Sequence, residues 1–228
     1  MTFQSGENGL YSAVIDPSGQ YAYFGTWTAP GRVVKIRLSD MTRIGAISLI
    51  SGENNLSWGV IDPGGQYAYF GTYTSPGRVV KIGLSSFTRV GAVTLNTGEN
   101  ELNSGVIDRN GQFAYFCTNT VPGIVVKIRL FDMTRVGAIL LQSGEDKPMS
   151  AVIDPSGQYA YFGTTSSPGK VVKIGLSTFM RVGAITFQSG ENNTFSALMD
   201  PNGQFAYFGI YTSPGRVVKI GLSSFTRV

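Results

Sequence analysis

Apolar and polar residues alternate along this chain in short segments that proline and glycine interrupt. Residues 11–16 (YSAVID) form an apolar run, residues 21–28 (YAYFGTWT) are rich in aromatic residues and threonine, and residues 32–38 (RVVKIRL) are largely β-branched. Each segment has the composition and length of a strand, and a fourth strand is predicted over residues 42–50. The sequence Asp16-Pro17-Ser18-Gly19 predicts a tight turn between the first two strands.

This four-strand pattern recurs without an insertion or a deletion. A fixed period between 20 and 50 residues defines a repeat architecture. Residues 73–90 and 211–228 are identical, which indicates recent duplication or deliberate construction. The marker Asp-x-x-Gly-Gln begins at positions that are 46 residues apart, namely Asp16, Asp62, Asp108, Asp154 and Asp200.

The period and the strand content predict an all-β fold. Four short strands in each 46-residue copy are typical of one blade, so residues 1–228 are expected to form a single five-bladed β-propeller domain with four antiparallel strands in each blade. Adjacent residues such as Val33 and Val34 are both apolar. This is expected when neighbouring blades cover both faces of a sheet.

Alignment of the copies indicates how the first and last repeats meet. Val228 aligns with Val182 and Met1 aligns with Ile185, so two residues of one repeat are missing between the chain ends. We therefore expect composite closure of the N- and C-terminal strands, in which residues 1–5 supply the second half of an outer strand that begins at Phe225. A monomer is favoured. The alternative is exchange between molecules, which would produce a strand-swapped homo-oligomer or a filament.

The turn and second strand carry a family resemblance. Residues 16–25 (DPSGQYAYFG) resemble the signature of YVTN-type, WD40-like β-propeller repeats, and the similarity extends to every copy. The chain departs from the YVTN pattern by carrying Gly25-Thr26, and it lacks the Gly-His and Trp-Asp dipeptides of true WD40 blades. The resemblance implies a propeller. It implies little about function, because such propellers include binding scaffolds, surface proteins and lactonase-like enzymes.

Composition restricts the chemistry. The chain contains no histidine and one cysteine, Cys117, so the commonest general base and metal ligand is absent and no disulfide framework or multi-cysteine metal site is expected. The net charge of +4 is spread through the repeats, whereas nucleic-acid binding requires a clustered basic surface. No apolar run is long enough to insert into a membrane. We expect no cofactor, no metal and no catalytic residue.

Every copy places a glutamate in the loop between its fourth strand and the next first strand. These glutamates are candidates for a ring of sites that bind sugar hydroxyls or a cation. The alternative is structural: each glutamate accepts backbone N–H bonds in its own loop or pairs with Arg32, Arg78, Lys170 or Arg216, and we favour this interpretation. The candidate residues are Glu7, Glu53, Glu99, Glu145 and Glu191.

Aromatic residues add a second set of candidates at the same rim. Trp27, Tyr73 and Tyr211 occupy one position of the loop after the second strand, where the other copies carry Asn119 and Thr165. They are candidates to stack on a sugar or a base, or alternatively to cover loop backbone. A further aromatic candidate near this rim is Trp58.

Other recurrent residues are interpreted structurally. A lysine in each third strand and an arginine in each fourth strand, such as Lys35 and Arg43, are interpreted as charges that discourage pairing at sheet edges. The aspartates of the repeat marker are expected to cap their turns. Cys117 replaces a glycine of the other copies and is expected to be a partly buried substitution rather than a nucleophile.

Repetition produces equivalent surfaces and no pocket that combines different residue types. We therefore interpret the chain as a non-catalytic binding or structural scaffold with an unknown protein or glycan ligand. A lectin-like protein with several equivalent rim sites is the first alternative. A lactonase-like hydrolase, suggested only by the family resemblance, is the second, and an engineered propeller without an evolved ligand also fits the regular period.

Overall fold

The computed structural model describes residues 1–228 and contains twenty strands and no helix. The chain accordingly has no helical segment of the length and hydrophobicity needed to cross a membrane. The strands are β1 (Leu10–Ile15), β2 (Tyr21–Thr26), β3 (Arg32–Arg37), β4 (Thr42–Ser48), β5 (Leu56–Ile61), β6 (Tyr67–Thr72), β7 (Arg78–Gly83), β8 (Thr88–Thr94), β9 (Leu102–Ile107), β10 (Phe113–Thr118), β11 (Ile124–Arg129), β12 (Thr134–Leu140), β13 (Ser150–Ile153), β14 (Tyr159–Gly163), β15 (Lys170–Gly175), β16 (Met180–Thr186), β17 (Thr194–Met199), β18 (Phe205–Ile210), β19 (Arg216–Gly221) and β20 (Thr226–Arg227).

Consecutive strands form five separate four-stranded sheets, which we call blades one to five. Each blade consists of four strands that are consecutive in the chain, in sequential order from β1–β4 to β17–β20. In the first blade, for example, β1 pairs with β2, β2 with β3 and β3 with β4, all antiparallel. The predicted fold class, a five-bladed β-propeller of four antiparallel strands per blade, is confirmed.

The turn between the first two strands of a blade is capped by its aspartate. Oδ1 of Asp16 accepts hydrogen bonds from the backbone N–H groups of Gln20 at 2.9 Å and Tyr21 at 3.2 Å. Gly19 donates its own N–H to the carbonyl of Asp16 and has a φ of 68°, a conformation that glycine adopts without strain. Asp62 makes the same bonds in the second blade. The predicted capping role is therefore observed.

The chain forms two compact units. Residues 1–102, 110–113 and 128–135 make up the first unit, and residues 103–109, 114–127 and 136–228 make up the second. The single-domain assignment stays a prediction. In each unit, apolar side chains of successive blades pack into a common core: Val14, Tyr23, Val33 and Leu49 with Leu56, Ala68, Phe70, Val80, Ile82 and Leu84 in the first unit, and Val152, Tyr161, Val171 and Phe187 with Ala206, Phe208, Ile210, Val218, Ile220 and Leu222 in the second.

The outer strand of the fifth blade differs from the predicted composite strand. β20 contains only Thr226 and Arg227, which pair with Gly221 and Ile220, and residues 1–5 form no strand. The prediction that residues 1–5 extend this strand is therefore wrong for the single chain. In the other blades, continuous backbone holds the second half of the outer strand in register. Here no peptide bond joins the two halves, so pairing would carry the entropic cost of ordering a free terminus.

Candidate functional site

Two kinds of loop lie side by side at one edge of the blades. The backbone N–H of Trp27 donates to the carbonyl of Gly9 at 2.7 Å, and the N–H of Tyr73 donates to the carbonyl of Asn55 at 2.8 Å. These bonds join the loop that enters a blade to the loop after the second strand of that blade, as the sequence predicts. We call this edge, residues 5–9 and 26–31 with their equivalents in the other blades, the loop rim.

The five candidate glutamates of the loop rim are all buried. Glu53, with a side chain 1% exposed, accepts the backbone N–H of Ile50 through Oε2 at 3.3 Å. The same local bond recurs in the other four loops at 2.9 to 3.0 Å. The predicted local backbone bonds of the glutamates are thus observed, and their side chains are at most 6% exposed.

Each glutamate also forms an ion pair with an arginine 36 residues later in the chain. Arg89 donates to Glu53 from Nε at 2.8 and 3.1 Å and from Nη2 at 2.5 Å. The predicted pairing with Arg32 and its equivalents was wrong, because the arginine of the outer strand, and not that of the third strand, forms the ion pair with the carboxylate. The five pairs are Glu7–Arg43, Glu53–Arg89, Glu99–Arg135, Glu145–Arg181 and Glu191–Arg227.

The ion pair stabilises the charged form of the carboxyl group. Hydrogen bonding to Arg43 lowers the pKa of Glu7 below its ordinary value of 4.5, against the opposing effect of burial. The backbone N–H of Gln4 at 2.9 Å lowers the pKa further. A carboxylate whose oxygens already accept from a guanidinium and a backbone amide has little capacity left to bind a sugar hydroxyl or a cation.

Aromatic side chains from the loop rim and from β1 form a continuous strip in the first unit. The ring centroid of Trp27 lies 4.6 Å from that of Tyr11 and 5.0 Å from that of Tyr73, with tilts of 41° and 47°. Tyr11 is 60% exposed and Trp27 36% exposed. We call these three residues the aromatic strip. Tyr11 was not among the predicted site residues, because the residue at its position differs in every copy and its contact with Trp27 is not visible in the sequence. The equivalent residues are Ser57, Asn103, Met149 and Phe195.

The remaining aromatic candidates are Tyr211 and Trp58. In the second unit, Tyr211 is exposed and its ring centroid lies 5.1 Å from that of Phe195. Trp58 lies within β5 opposite Gly71, one residue after the position equivalent to Tyr11. The aromatic residues therefore do not repeat in all five blades. They form one three-residue strip in the first unit and one two-residue pair in the second.

The recurrent lysines do not lie at sheet edges, so that prediction was wrong. β7 is an inner strand of its sheet, and Nζ of its Lys81 lies 4.0 Å from the ring centroid of Tyr67. The same ammonium donates to the carbonyl of Leu130 at 2.9 Å, and burial lowers the pKa of Lys81. Lys35 makes the equivalent cation–π contact with Tyr21 at 4.1 Å. These side chains are thus part of the packing between successive blades.

A cleft of about 580 Å³ in the first unit surrounds this lysine. Its lining includes Tyr67, Lys81, Phe113 and Arg129. Lys81 is engaged with the Leu130 carbonyl, and Arg129 pairs with Asp132 at 2.6 Å. Both cations of the cleft are therefore already bonded within the protein.

Cys117 is fully buried, and burial strongly raises the pKa of its thiol.

No group of three or more histidine, cysteine, aspartate or glutamate side chains has an arrangement that could hold a metal ion.

No protein-family model matches the chain, and no curated protein matches it. Solved structures do. The chain is similar to hydrazine synthase from Kuenenia stuttgartiensis, with a TM-score of 0.80 and 13% identity over 97% of this chain and 68% of that chain. It is also similar to a chain of the mitotic checkpoint complex, with a TM-score of 0.76 and 10% identity over 95% of this chain and 62% of that chain.

A third similar structure is the β-propeller domain of Cps50 (Swd1) from Myceliophteria thermophila, with a TM-score of 0.75 and 16% identity over 100% of this chain and 72% of that chain. At these identities the likeness establishes the fold alone: the chain is built of β-propeller repeats. The more specific resemblance to YVTN-type repeats stays a prediction.

Proposed function

We propose that the chain is a non-catalytic binding module whose recognition surface is the aromatic strip of Tyr11, Trp27 and Tyr73. The observation that carries the proposal is the pair of ring contacts at 4.6 and 5.0 Å around the partly exposed Trp27. Contiguous exposed aromatic side chains are uncommon on monomeric proteins and mark interaction sites. Tyrosine and tryptophan also provide large contact areas at low cost in side-chain entropy.

The surroundings of the strip favour a neutral ligand. The neighbouring rim glutamates are neutralised by their arginines, and Ser5 and Asn8 are exposed polar residues of the loop that enters the first blade. The guanidinium of Arg32 donates to the backbone carbonyl of Ser5 at 3.2 Å. Aromatic faces with carboxamide and hydroxyl groups beside them suit the apolar faces and hydroxyls of a sugar. We therefore propose a neutral glycan as the ligand. A lectin with five equivalent sites is less well supported, because the strip occurs once.

The chain supplies conservative variants for a test. Trp27→Thr and Tyr73→Asn introduce residues that other copies carry at this position, Thr165 and Asn119, so both variants should keep the blade fold. The control is Phe131→Ala, which removes an exposed aromatic side chain from the turn between β11 and β12. The wild-type chain is screened on a neutral-glycan array, and hits are measured by isothermal titration calorimetry.

We expect each strip variant to weaken binding at least tenfold and Phe131→Ala to leave it unchanged. Loss of one stacking contact within the strip is enough for a change of this size, since tenfold corresponds to about 1.4 kcal/mol. The proposal is wrong if no neutral glycan binds, or if a glycan binds equally well to the wild-type chain and the Trp27→Thr, Tyr73→Asn double variant.

A further inference from the structure

Two apolar surfaces that are buried between successive blades in the interior of the chain are exposed at its two ends. The first is a face of the fifth blade. Val217 is 70% exposed and Leu198 is 72% exposed. The equivalents of Val217 in the other four blades are completely buried, and those of Leu198 are at most 9% exposed: Val33, Val79, Val125 and Val171, and Val14, Val60, Val106 and Val152.

The second surface belongs to the first blade. Leu10 is 38% exposed, whereas its equivalents Leu56 and Leu102 are completely buried. In the first unit, Leu56 packs in the same core as Val33 and Val14 of the preceding blade. Inside the chain, the equivalents of Leu10 and Val217 pack in one core between successive blades. Leu10 of the first blade and Val217 of the fifth blade are the same two surfaces without a partner blade.

The N-terminal residues already occupy the place of a preceding blade. The ring of Phe3 lies 6.2 Å from that of Phe24. In the second unit, Phe187 of the fourth blade's outer edge lies 6.5 Å from Phe208 of the fifth blade, and Phe3 and Phe24 align with these two residues. The turn is also reproduced, because Glu7 donates its N–H to the carbonyl of Gln4 as Glu191 does to that of Gln188.

We infer that the chain associates head to tail with a second copy of itself, the fifth blade of one molecule packing against the first blade of the next. Residues 1–5 of the second molecule would then lie beside β20 of the first and complete its two-residue outer strand. The interface continues the blade-to-blade packing of the interior, with the same residue types on both sides. Because it joins different surfaces, it can repeat and form a ring or a filament.

A backbone hydrogen bond extends the same pattern. Gly31 and Gly169 each donate an N–H to the carbonyl of the next rim glutamate, Glu53 and Glu191, at 2.8 Å. Their equivalent in the fifth blade, Gly215, is exposed. In the associated state its N–H would donate to the carbonyl of Glu7 in the neighbouring copy.

Light scattering across a dilution series tests the association. The wild-type chain should show multiples of 24.4 kDa that decrease on dilution. Val217→Lys should give 24.4 kDa at concentrations where the wild type is associated, with an unchanged far-UV circular dichroism spectrum. Val182→Lys, which changes a valine that is 55% exposed on β16, is the matched control and should behave as the wild type. A wild-type mass of one chain at every concentration overturns the inference.

A cross-linking experiment separates two molecules from closure within one. A Cβ at Gly31 would lie 2.9 Å from Cγ of Leu56, so cysteines at the equivalent residues Gly215 and Leu10 should be within disulfide reach across the interface. In a Cys117→Gly background, Gly215→Cys and Leu10→Cys chains are mixed and oxidised. We expect a disulfide-linked dimer of the two variants. If the mixture gives no linked dimer while a chain carrying both cysteines forms an internal disulfide, closure within one chain replaces the inference.

Discussion

The guanidinium of Arg89 lies against the carboxylate of Glu53, with Nη2 2.5 Å from Oε1, and joins the outer strand of the second blade to the loop that enters it. The glutamate side chain is 1% exposed and the arginine side chain 26% exposed. Because every blade repeats this pair, the rim glutamates fix each entering loop on its own blade.

Removal of one carboxylate should therefore destabilise the protein. Loss of one partner of a buried ion pair costs about 3 to 5 kcal/mol, and partial exposure of Arg89 reduces the expected loss for Glu53→Ala to about 2 kcal/mol. Urea unfolding followed by circular dichroism measures the change. The control is Asp40→Ala, which breaks the exposed Arg37–Asp40 pair and should not change the midpoint measurably. Equal midpoints for both variants would contradict a structural role for Glu53.

The pair also predicts a dependence of stability on pH. The pKa of Glu7 is lowered in the folded protein, chiefly by Arg43, so folding favours the ionised carboxylate. Its stabilising effect is fully present above the unfolded-state pKa, near 4.5, and is lost as the pH falls through the lower pKa of the folded state. In thermal unfolding between about pH 7 and pH 3, the difference in stability between the wild type and Glu7→Gln should shrink as the pH falls. A difference that does not change with pH would show that ionisation of this carboxyl group does not contribute to the stability of the fold.

The fold follows from the sequence because the 46-residue period, the turn residues and the β-branched segments all agree on one blade. The partners of the charged residues could not be predicted from the sequence. The repeat pattern places both Arg32 and Arg43 in the blade that the Glu7 loop enters. Only the register of β4 decides that Arg43 forms the ion pair with the carboxylate. The prediction that the recurrent lysines lie at sheet edges was wrong because a lysine covered by an adjacent blade and a lysine at a sheet edge have the same neighbours in the sequence.

The aromatic strip shows a second limit of sequence analysis. The loop position of Trp27 and Tyr73 varies among the copies, and this variation identifies them as exposed. Tyr11 lies in β1, where repeat alignment indicates a small or polar residue in two other copies, so its contact with Trp27 is visible only from the three-dimensional arrangement.

Cys117 should be inert in the folded protein. Its thiol is completely buried, so an alkylating reagent cannot reach it. Burial also raises the pKa of the thiol, so the reactive thiolate does not form near neutral pH. We expect no labelling by iodoacetamide under native conditions and one label per chain in denaturant, measured by intact mass. Rapid labelling of the native protein would contradict the buried position of this side chain.

The last prediction compares two equivalent lysines. Lys81 and Lys35 both place Nζ over a tyrosine ring, at 4.0 and 4.1 Å, but Nζ of Lys81 is 2.9 Å from the carbonyl of Leu130 whereas Nζ of Lys35 is 3.5 Å from that of Leu84. Methionine at either position keeps most of the apolar stem and removes the ammonium. The cation–π contact is lost from both variants, so the difference between them measures the effect of the shorter hydrogen bond that Lys81 makes to the neighbouring blade. A bond from a charged donor contributes about 1.5 to 3 kcal/mol, and the cost of burying Lys81, which lowers its pKa, offsets part of it. We therefore expect Lys81→Met to lower the free energy of unfolding by about 1 kcal/mol more than Lys35→Met does. Denaturant unfolding measures both variants, and an equal loss would mean that the shorter bond adds no stability beyond the ring contact.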